Sequence, residues 1–323
     1  MADMTPPAGV DEFLDGAGWA GADVLPLAGD ASFRRYFRVK RGANSAVLMD
    51  APPPHEDPRP FLSVGGWLAE RGFGAPRIIA SDLSRGLVLL EDFGDRRMRE
   101  TVDAEPNRVI GLYEAAVDVL VDLHRHPAGP LEPYDRAVLH HEAALLTEWY
   151  CPAVGLDVDA DGYRAAWDAV FDYALAAEPV TVLRDYHAEN LMLVDGGLGL
   201  LDFQDALAGH PAYDLVSLLQ DARRDVEPSV EAAMLERYRA ATAAGEDFMR
   251  AYHVLGAQRN AKIVGIFTRL WKRDGKPRYP ALCPRVWRYL EHDLAQPALK
   301  PVARWFDENI PAAKRGDPMA MPK

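Results

Sequence analysis

Cysteine is nearly missing from this sequence: Cys151 and Cys283 are the only two in 323 residues. They stand far apart and without CxxC or Cys/His ligand spacing, so neither a disulfide framework nor a zinc site is expected, and a cytoplasmic setting fits best. Basic blocks are missing as well. The formal charge is −13, with no Lys/Arg run or basic-aromatic stripe to offset it, which argues against nucleic acid as a partner. No uncharged apolar run of about 18 residues is present, so no helix is expected to span a membrane. The opening MADMTPPAGVDEF carries acids and prolines where an export signal needs a basic start and an apolar stretch. Internal repeats and low-complexity tracts are absent, and no obligate protein partner is inferred. Lysine is scarce in one region: Lys40 is the only one before Lys262.

What is present reads as a packed fold, 49% hydrophobic and 26% charged, long enough for two lobes that share a cleft. Between Val24 and Met49 three antiparallel strands are expected, DVLPLAG, FRRYFRVK and SAVLMD, with turn signals GDAS and RGANS between them. The proline-rich APPPHEDPRP (51–60) leads into an amphipathic helix, FLSVGGWLAERG, and then into two further strands, PRIIASD and GLVLLEDFG. Beyond Gly94 the period changes. Val109, Leu112, Tyr113, Ala116, Val117, Leu120 and Leu123 recur at helical spacing, and helical patterns follow near 138–150, 161–177, 211–223, 229–243, 247–271 and 284–295. The expectation is an α+β chain: a β-rich lobe over 1–93, a mainly helical lobe over 94–323, and a hinge at about 90–95.

One stretch interrupts the helices. In LRDYHAENLMLVDGGLGLLDFQDA (183–206), LMLV and LGLLDF pair as a hairpin across Asp195-Gly196-Gly197, which supplies the positive φ such turns need. Antiparallel pairing then brings Asn190, ending one arm, beside Asp202 at the far end of the other. An amide oxygen and a carboxylate converging this way suit Mg2+, which takes the rest of its shell from water and phosphate. Asp185, on the same loop, stands close enough to orient or deprotonate a hydroxyl that attacks phosphorus. Taken singly, each of these residues is as readily a turn cap; the ordered set carries the phosphotransfer reading.

Two features depart from the protein-kinase pattern. Asp92-Phe93-Gly94 is spelled like a metal-binding tripeptide but precedes the catalytic stretch by about ninety residues, so it reads as the inter-lobe hinge, with backbone groups near Glu91 and Phe93 available to adenine. The third strand carries Met49 where a phosphate-pairing lysine is expected. Neutralisation in the small lobe then falls mainly to arginine: Arg34, Arg35 and Arg38 remain equal candidates. The turn Gly29-Asp30-Ala31-Ser32 is expected to cover the phosphates.

These residues resemble the aminoglycoside phosphotransferase (APH) group of small-molecule kinases, whose motif H-G-D-x-x-x-x-N appears as Leu183-Arg184-Asp185-Tyr186-His187-Ala188-Glu189-Asn190. The resemblance implies a protein-kinase-like two-lobe fold with ATP in the cleft, Asp185 as the catalytic base, and Asn190 and Asp202 as Mg2+ ligands. The leading histidine is Leu183 here. The G-x-P-x-x-D-L pattern is present as Gly209-His210-Pro211-Ala212-Tyr213-Asp214-Leu215, implying that Asp214 opens a helix and braces the loop. Segments GDASFRRYFRV, VLMDAPPPHEDPRPF, LLEDFGDR, LLDFQDALAGHPAYDLVSLLQDARRDV and LGAQRNAKIVGIFTRLWKRDGKPRYP are similar to the branch of anomeric N-acetylmuramate/N-acetylglucosamine kinases, which also lacks the lysine. That branch implies phosphorylation of a sugar at its anomeric hydroxyl for cell-wall recycling.

On the acceptor side the candidates are His187 inside the catalytic loop, Asp205 after the hairpin, Arg223 with Arg224, and Glu142, Glu148 and Trp149 in HHEAALLTEWY. If 247–271 is one helix, Gln258, Lys262 and Arg269 approach a common face. A cation there suits the lactyl carboxylate of N-acetylmuramate. The alternatives are a kinase of another hydroxyl compound, such as an aminoglycoside, a choline-like amine or an amino alcohol, and a pseudokinase that binds without catalysis.

Overall fold

The computed structural model describes residues 5–27 and 34–321. In chain order the elements are α1 (Val10–Gly16), β1 (Asp23–Pro26), β2 (Arg35–Arg41), β3 (Asn44–Asp50), α2 (Arg59–Ala69), β4 (Ile78–Asp82), β5 (Leu87–Glu91), α3 (Met98–Ala104) and α4 (Val109–Leu123). There follow α5 (Arg136–Leu145), α6 (Cys151–Ala153), α7 (Ala160–Asp168), α8 (Phe171–Leu175), β6 (Val180–Val182), β7 (Leu191–Val194), β8 (Gly197–Leu200) and β9 (Leu207–Gly209). The helices α9 (Ala212–Leu219), α10 (Pro228–Thr242), α11 (Glu246–Lys272), α12 (Cys283–Leu294) and α13 (Lys300–Asn309) complete the chain. Two compact units result. One holds the residues up to Arg108 together with Glu189–Asp205, and the other holds Val109–Ala188 and the residues from Ala206 on.

The first unit is organised by a five-stranded sheet of order β1-β2-β3-β5-β4, antiparallel at every pairing. Strand alternation sorts its residues by face. Phe37, Leu48 and Leu89 stand opposite one another and pack with Val39, Ala46 and Leu87 against Val10, Phe13 and Leu14 of α1. The other face carries Tyr36, Met49 and Val88, again directly opposed. The β7–β8 hairpin joins this unit: Gly74 carbonyl accepts from Leu200 N–H at 2.8 Å, and Arg96 carbonyl accepts from Leu193 N–H at 2.7 Å. Gly74 has no substitute there, because a Cβ would stand 2.3 Å from the Leu198 carbonyl oxygen.

The second unit is helical around α11, which is buried along most of its length and so carries its apolar and polar core residues on every side. Gly265 lets this helix cross the end of α5, where a Cβ would meet the Leu145 backbone at 2.3 Å. Immediately after that crossing, Leu146–Tyr150 form a π-helical turn. The only strands of this unit among the described residues are β6 and β9, three residues each and antiparallel. No helix among the described residues is long and apolar enough to cross a membrane.

Candidate phosphotransfer site

The hairpin register is Leu191↔Leu200 through Val194↔Gly197, so Asp195-Gly196 alone form the turn and Gly197, with φ 157°, is already strand. β8 ends at Leu200, and Leu201 N–H donates to Asn190 carbonyl at 2.9 Å. Asn190 and the Leu201-Asp202 step therefore share the open end of the hairpin. Asp202 is exposed and adopts φ 58°, one of three described non-glycine residues in the left-handed region. Such backbone is tolerated by aspartate and concentrates at functional sites. Its neighbour Phe203 turns inward and stacks on Phe61 of α2, ring centroids 4.8 Å apart, over Gly65. That stacking fixes the step that presents the Asp202 carboxylate. Gln204 Nε2 donates to Asp202 Oδ1 at 2.9 Å and to Asp205 Oδ2 at 3.3 Å; Asp205 itself is exposed.

Three arginines of the first unit go to three different places. Arg34 stands 3.9 Å from Asp202 and 3.6 Å from Glu56. Arg35 is on the α1 face of the sheet, donating to Asp50 opposite it through Nε and Nη2 at 2.8 and 2.6 Å. Arg38 binds Asp92 and Asp95, its Nε 2.8 Å from Asp92 and its Nη2 2.8 Å from Asp95. Burial opposes ionisation of Asp92, but hydrogen bonds from Ser45, Gly94 N–H and Arg38 outweigh it and hold the carboxyl below the usual range. Glu91 N–H donates to Arg77 carbonyl at 2.9 Å. Phe93 lies against Gly199, where a Cβ would come within 2.7 Å of its ring. Gly29, Asp30, Ala31 and Ser32 lie outside the described residues.

In the second unit β6 delivers Leu183 and Arg184, the latter at φ 69°. Asp214, in the first turn of α9 and wholly buried, accepts from Leu183 N–H at 2.7 Å and Arg184 N–H at 2.8 Å. Burial pushes the Asp214 carboxyl up to about 7 against the pull of those two N–H groups. Tyr186 hydroxyl donates to Ala116 carbonyl at 2.8 Å, tying the loop to α4. Asp185 is thus held from both sides along the chain. Asp214→Ala strands two backbone donors at about 1–3 kcal/mol each; urea unfolding of this variant is expected to show that loss, with Asp214→Asn retaining about half.

The charge environment of Asp185 is set by burial and by cations. Burial raises a carboxyl, yet His187, Lys262, Arg259 and Arg184 together bring Asp185 below the ordinary value. Burial drives His187 itself down to about 4, so at neutral pH it is uncharged and the effect on Asp185 comes from Lys262, Arg259 and Arg184. The His187 Nε2 stands 3.1 Å from Arg223 Nη1, which can only donate, so Nε2 accepts and the proton is on Nδ1. Beneath this group lies Glu142, 4% exposed. It accepts from Lys262 at 2.7 Å and from Gln258 at 3.4 Å, and also from Arg184 and from Tyr134 hydroxyl. Burial disfavours its charge, but Lys262 and Arg184 override it and lower the carboxyl to about 2. Lys262 also lies 3.3 Å from Tyr213 hydroxyl. Trp149 is partly exposed and Glu148 exposed in the π-helical turn.

The profile of the phosphotransferase enzyme family, APH, matches residues 23–252. The chain belongs to the APH phosphotransferase family. The N-acetylmuramate/N-acetylglucosamine kinase of Pseudomonas aeruginosa is 43% identical over 302 residues, covering 88% of each chain. The like-named kinase of Caulobacter vibrioides is 37% identical, covering 94% of this chain and 96% of that one. Among solved structures, aminoglycoside phosphotransferase APH(2'')-Ib with ADP bound superimposes with a TM-score of 0.62 at 15% identity, over 93% of this chain and 99% of its own length. The fold is accordingly the protein-kinase-like α+β fold of the APH phosphotransferases.

Within this APH chain the loop and the hairpin are sequence-local and legible as motifs, whereas the Asp214 brace, which reaches back to Leu183 and Arg184, was implied only by the family resemblance. Arg35 was separable in principle from Arg34 and Arg38, since positions 34, 36 and 38 share one strand face while Arg35 goes with apolar Phe37 and Val39. The four-way tie on Glu142 of α5 was not, because its partners are Lys262 and Gln258 of α11, Arg184 after β6, and Tyr134, with no spacing to connect them.

Proposed function

We propose that the protein is an ATP- and Mg2+-dependent cytoplasmic kinase that phosphorylates the anomeric hydroxyl of N-acetylmuramate, N-acetylglucosamine or both. The observation that carries this reading is the braced Asp185 loop followed by Asn190 and Asp202 at one hairpin end, in a chain 43% identical to a kinase named for those two sugars. Asp185 is assigned the acceptor hydroxyl: it orients the oxygen toward the γ-phosphorus and takes its proton as the new O–P bond forms and the bond to the ADP leaving oxygen breaks. An anomeric hydroxyl is more acidic than an ordinary alcohol, so a carboxylate of low proton affinity suffices.

The donor set supports a hard dication. Asn190 offers an amide oxygen and Asp202 an exposed carboxylate, the oxygen chemistry Mg2+ requires. When bound, Mg2+ supplies charge neutralisation on the phosphates. Arg34, paired with Glu56 and beside Asp202, is assigned the role of the missing lysine. Glu91 and Phe93 are assigned adenine through their backbones, and Gly29 to Ser32 the phosphates. Arg223, through His187, and Lys262 with Arg259 are assigned the polar and anionic parts of the acceptor, and Trp149 and Asp205 are assigned further roles in its recognition.

The test is an acceptor panel of amino sugars, aminoglycosides, choline and amino alcohols with ATP and Mg2+, with the product placed by phosphorus and proton NMR. The expected result is highest kcat/KM for the amino sugars and a phosphate on C1. Higher kcat/KM for a cationic acceptor, phosphate on another hydroxyl, or nucleotide binding with no turnover of any acceptor would each overturn the proposal.

A further inference from the structure

Away from the loop that carries Asp185, α11 and α12 bring three metal-ligand side chains together. His253 comes from α11 and His292 and Asp293 from α12, and one ligand atom of each lies within 4.8 Å of the other two. Asp293 is wholly buried between these helices. Its Oδ1 stands 2.8 Å from His253 Nδ1 and accepts from Gln220 Nε2 at 3.2 Å, whereas its buried Oδ2 has no hydrogen-bond partner. Gly256, nearly one turn along α11 from His253, makes room for that oxygen: a Cβ there would stand 2.3 Å from it. His253 is partly exposed and His292 exposed, so the group runs from the helix interface to solvent.

A carboxylate oxygen buried without a donor is costly, and proteins resolve such groups by pairing them or by coordinating a metal. Pairing accounts for Oδ1 alone. With His292 as a second imidazole in the group, the carboxylate whose Oδ2 lacks a donor belongs to a set of two nitrogens and one carboxylate. That set differs from the all-oxygen shells of Mg2+ and Ca2+ and matches zinc and its first-row neighbours, which accept three protein ligands and leave a position for water. We propose that His253, His292 and Asp293 form a binding site for a transition-metal dication, Zn2+ foremost, that staples α11 to α12. Its ligand chemistry is independent of the phosphotransfer reading, and so is its test.

The experiment uses the full-length protein without an affinity tag, stripped with chelator. Zn2+ is titrated in competition with a chromogenic chelator, thermal unfolding is followed with and without Zn2+, and Co2+ is added as a spectroscopic probe. Expected are one equivalent of Zn2+ at micromolar affinity or better, an unfolding temperature raised by several degrees, and visible Co2+ bands of a low-coordinate N/O site. Loss of an outer-shell partner costs about 10–100-fold in metal affinity, so removal of a direct ligand in His292→Ala or His253→Gln is expected to cost more than about 100-fold and to abolish the thermal shift. Mg2+-dependent activity in both variants should match the parent. Asp293→Asn adds a test of the anionic ligand if it folds; the two histidine variants decide the matter if it does not. Absence of a micromolar equivalent in the parent, or undiminished binding in both histidine variants, overturns the site.

Discussion

Asparagine in place of Asp185 is expected to lower kcat by about 10²–10⁴-fold, the range for loss of a positioned base. Nucleotide affinity and unfolding temperature should stay near the parent values. The substitution is nearly isosteric, and the loop is held by backbone bonds that it does not touch, Asp185 N–H to Leu183 carbonyl at 2.8 Å and His187 N–H to Asp185 carbonyl at 3.0 Å. Turnover near the parent rate would remove Asp185 from the chemistry. The pH profile supplies a second reading. The lowered carboxyl is ionised throughout the neutral range and is lost as a base only when pH falls through its depressed value, so kcat/KM should show no acidic limb from this group down to about pH 5. Lys262→Met removes one of the cations responsible and is expected to move that limb upward, towards the ordinary carboxylate range. A limb that does not move would separate Lys262 from the electrostatics of Asp185.

Glu142→Ala is expected to be strongly destabilising. It leaves Arg184 and Lys262 in a largely buried place without their shared counter-charge, and breaking a buried ion pair from one side costs about 3–5 kcal/mol. Urea denaturation at pH 7 measures it, and a loss under about 1 kcal/mol would show that the two cations find other partners. Because the folded carboxyl lies near 2 and the ordinary value is 4.5, the contribution is fully present above about pH 4.5 and fades as pH falls towards 2. Activity should fall with it, since Arg184 directly precedes Asp185 and holds a left-handed backbone.

The five strands of the sheet and the presence of the hairpin follow from alternation and turn chemistry in the sequence, but the hairpin turns on Asp195-Gly196 rather than on Asp195-Gly196-Gly197, so its register moves by one residue and β8 ends at Leu200. Elements of low contrast escaped those local rules. β6 and β9 are three residues each, Val180–Val182 buried on both sides, so no alternation marks them and only a distant partner makes them strands. α1 carries a short signal in Val10, Phe13 and Leu14, at helical spacing between Gly9 and Ala17. At the candidate site, residue identities are written locally, in D-x4-N and D-F. Their electrostatics are not, because Glu142, Arg184, Lys262 and Gln258 meet only after α5 and α11 have packed.

The hairpin's membership has a consequence for biosynthesis. The compact unit around the five-stranded sheet includes Glu189–Asp205, so as the chain leaves the ribosome that unit is still short of a piece until Val109–Ala188 have been made. Until then Phe61 lacks its stacking ring Phe203 and Gly74 carbonyl lacks the Leu200 donor. A nascent chain halted at Arg108 would display an apolar patch that only a later stretch of message can cover, and chaperone capture should be greatest in that interval.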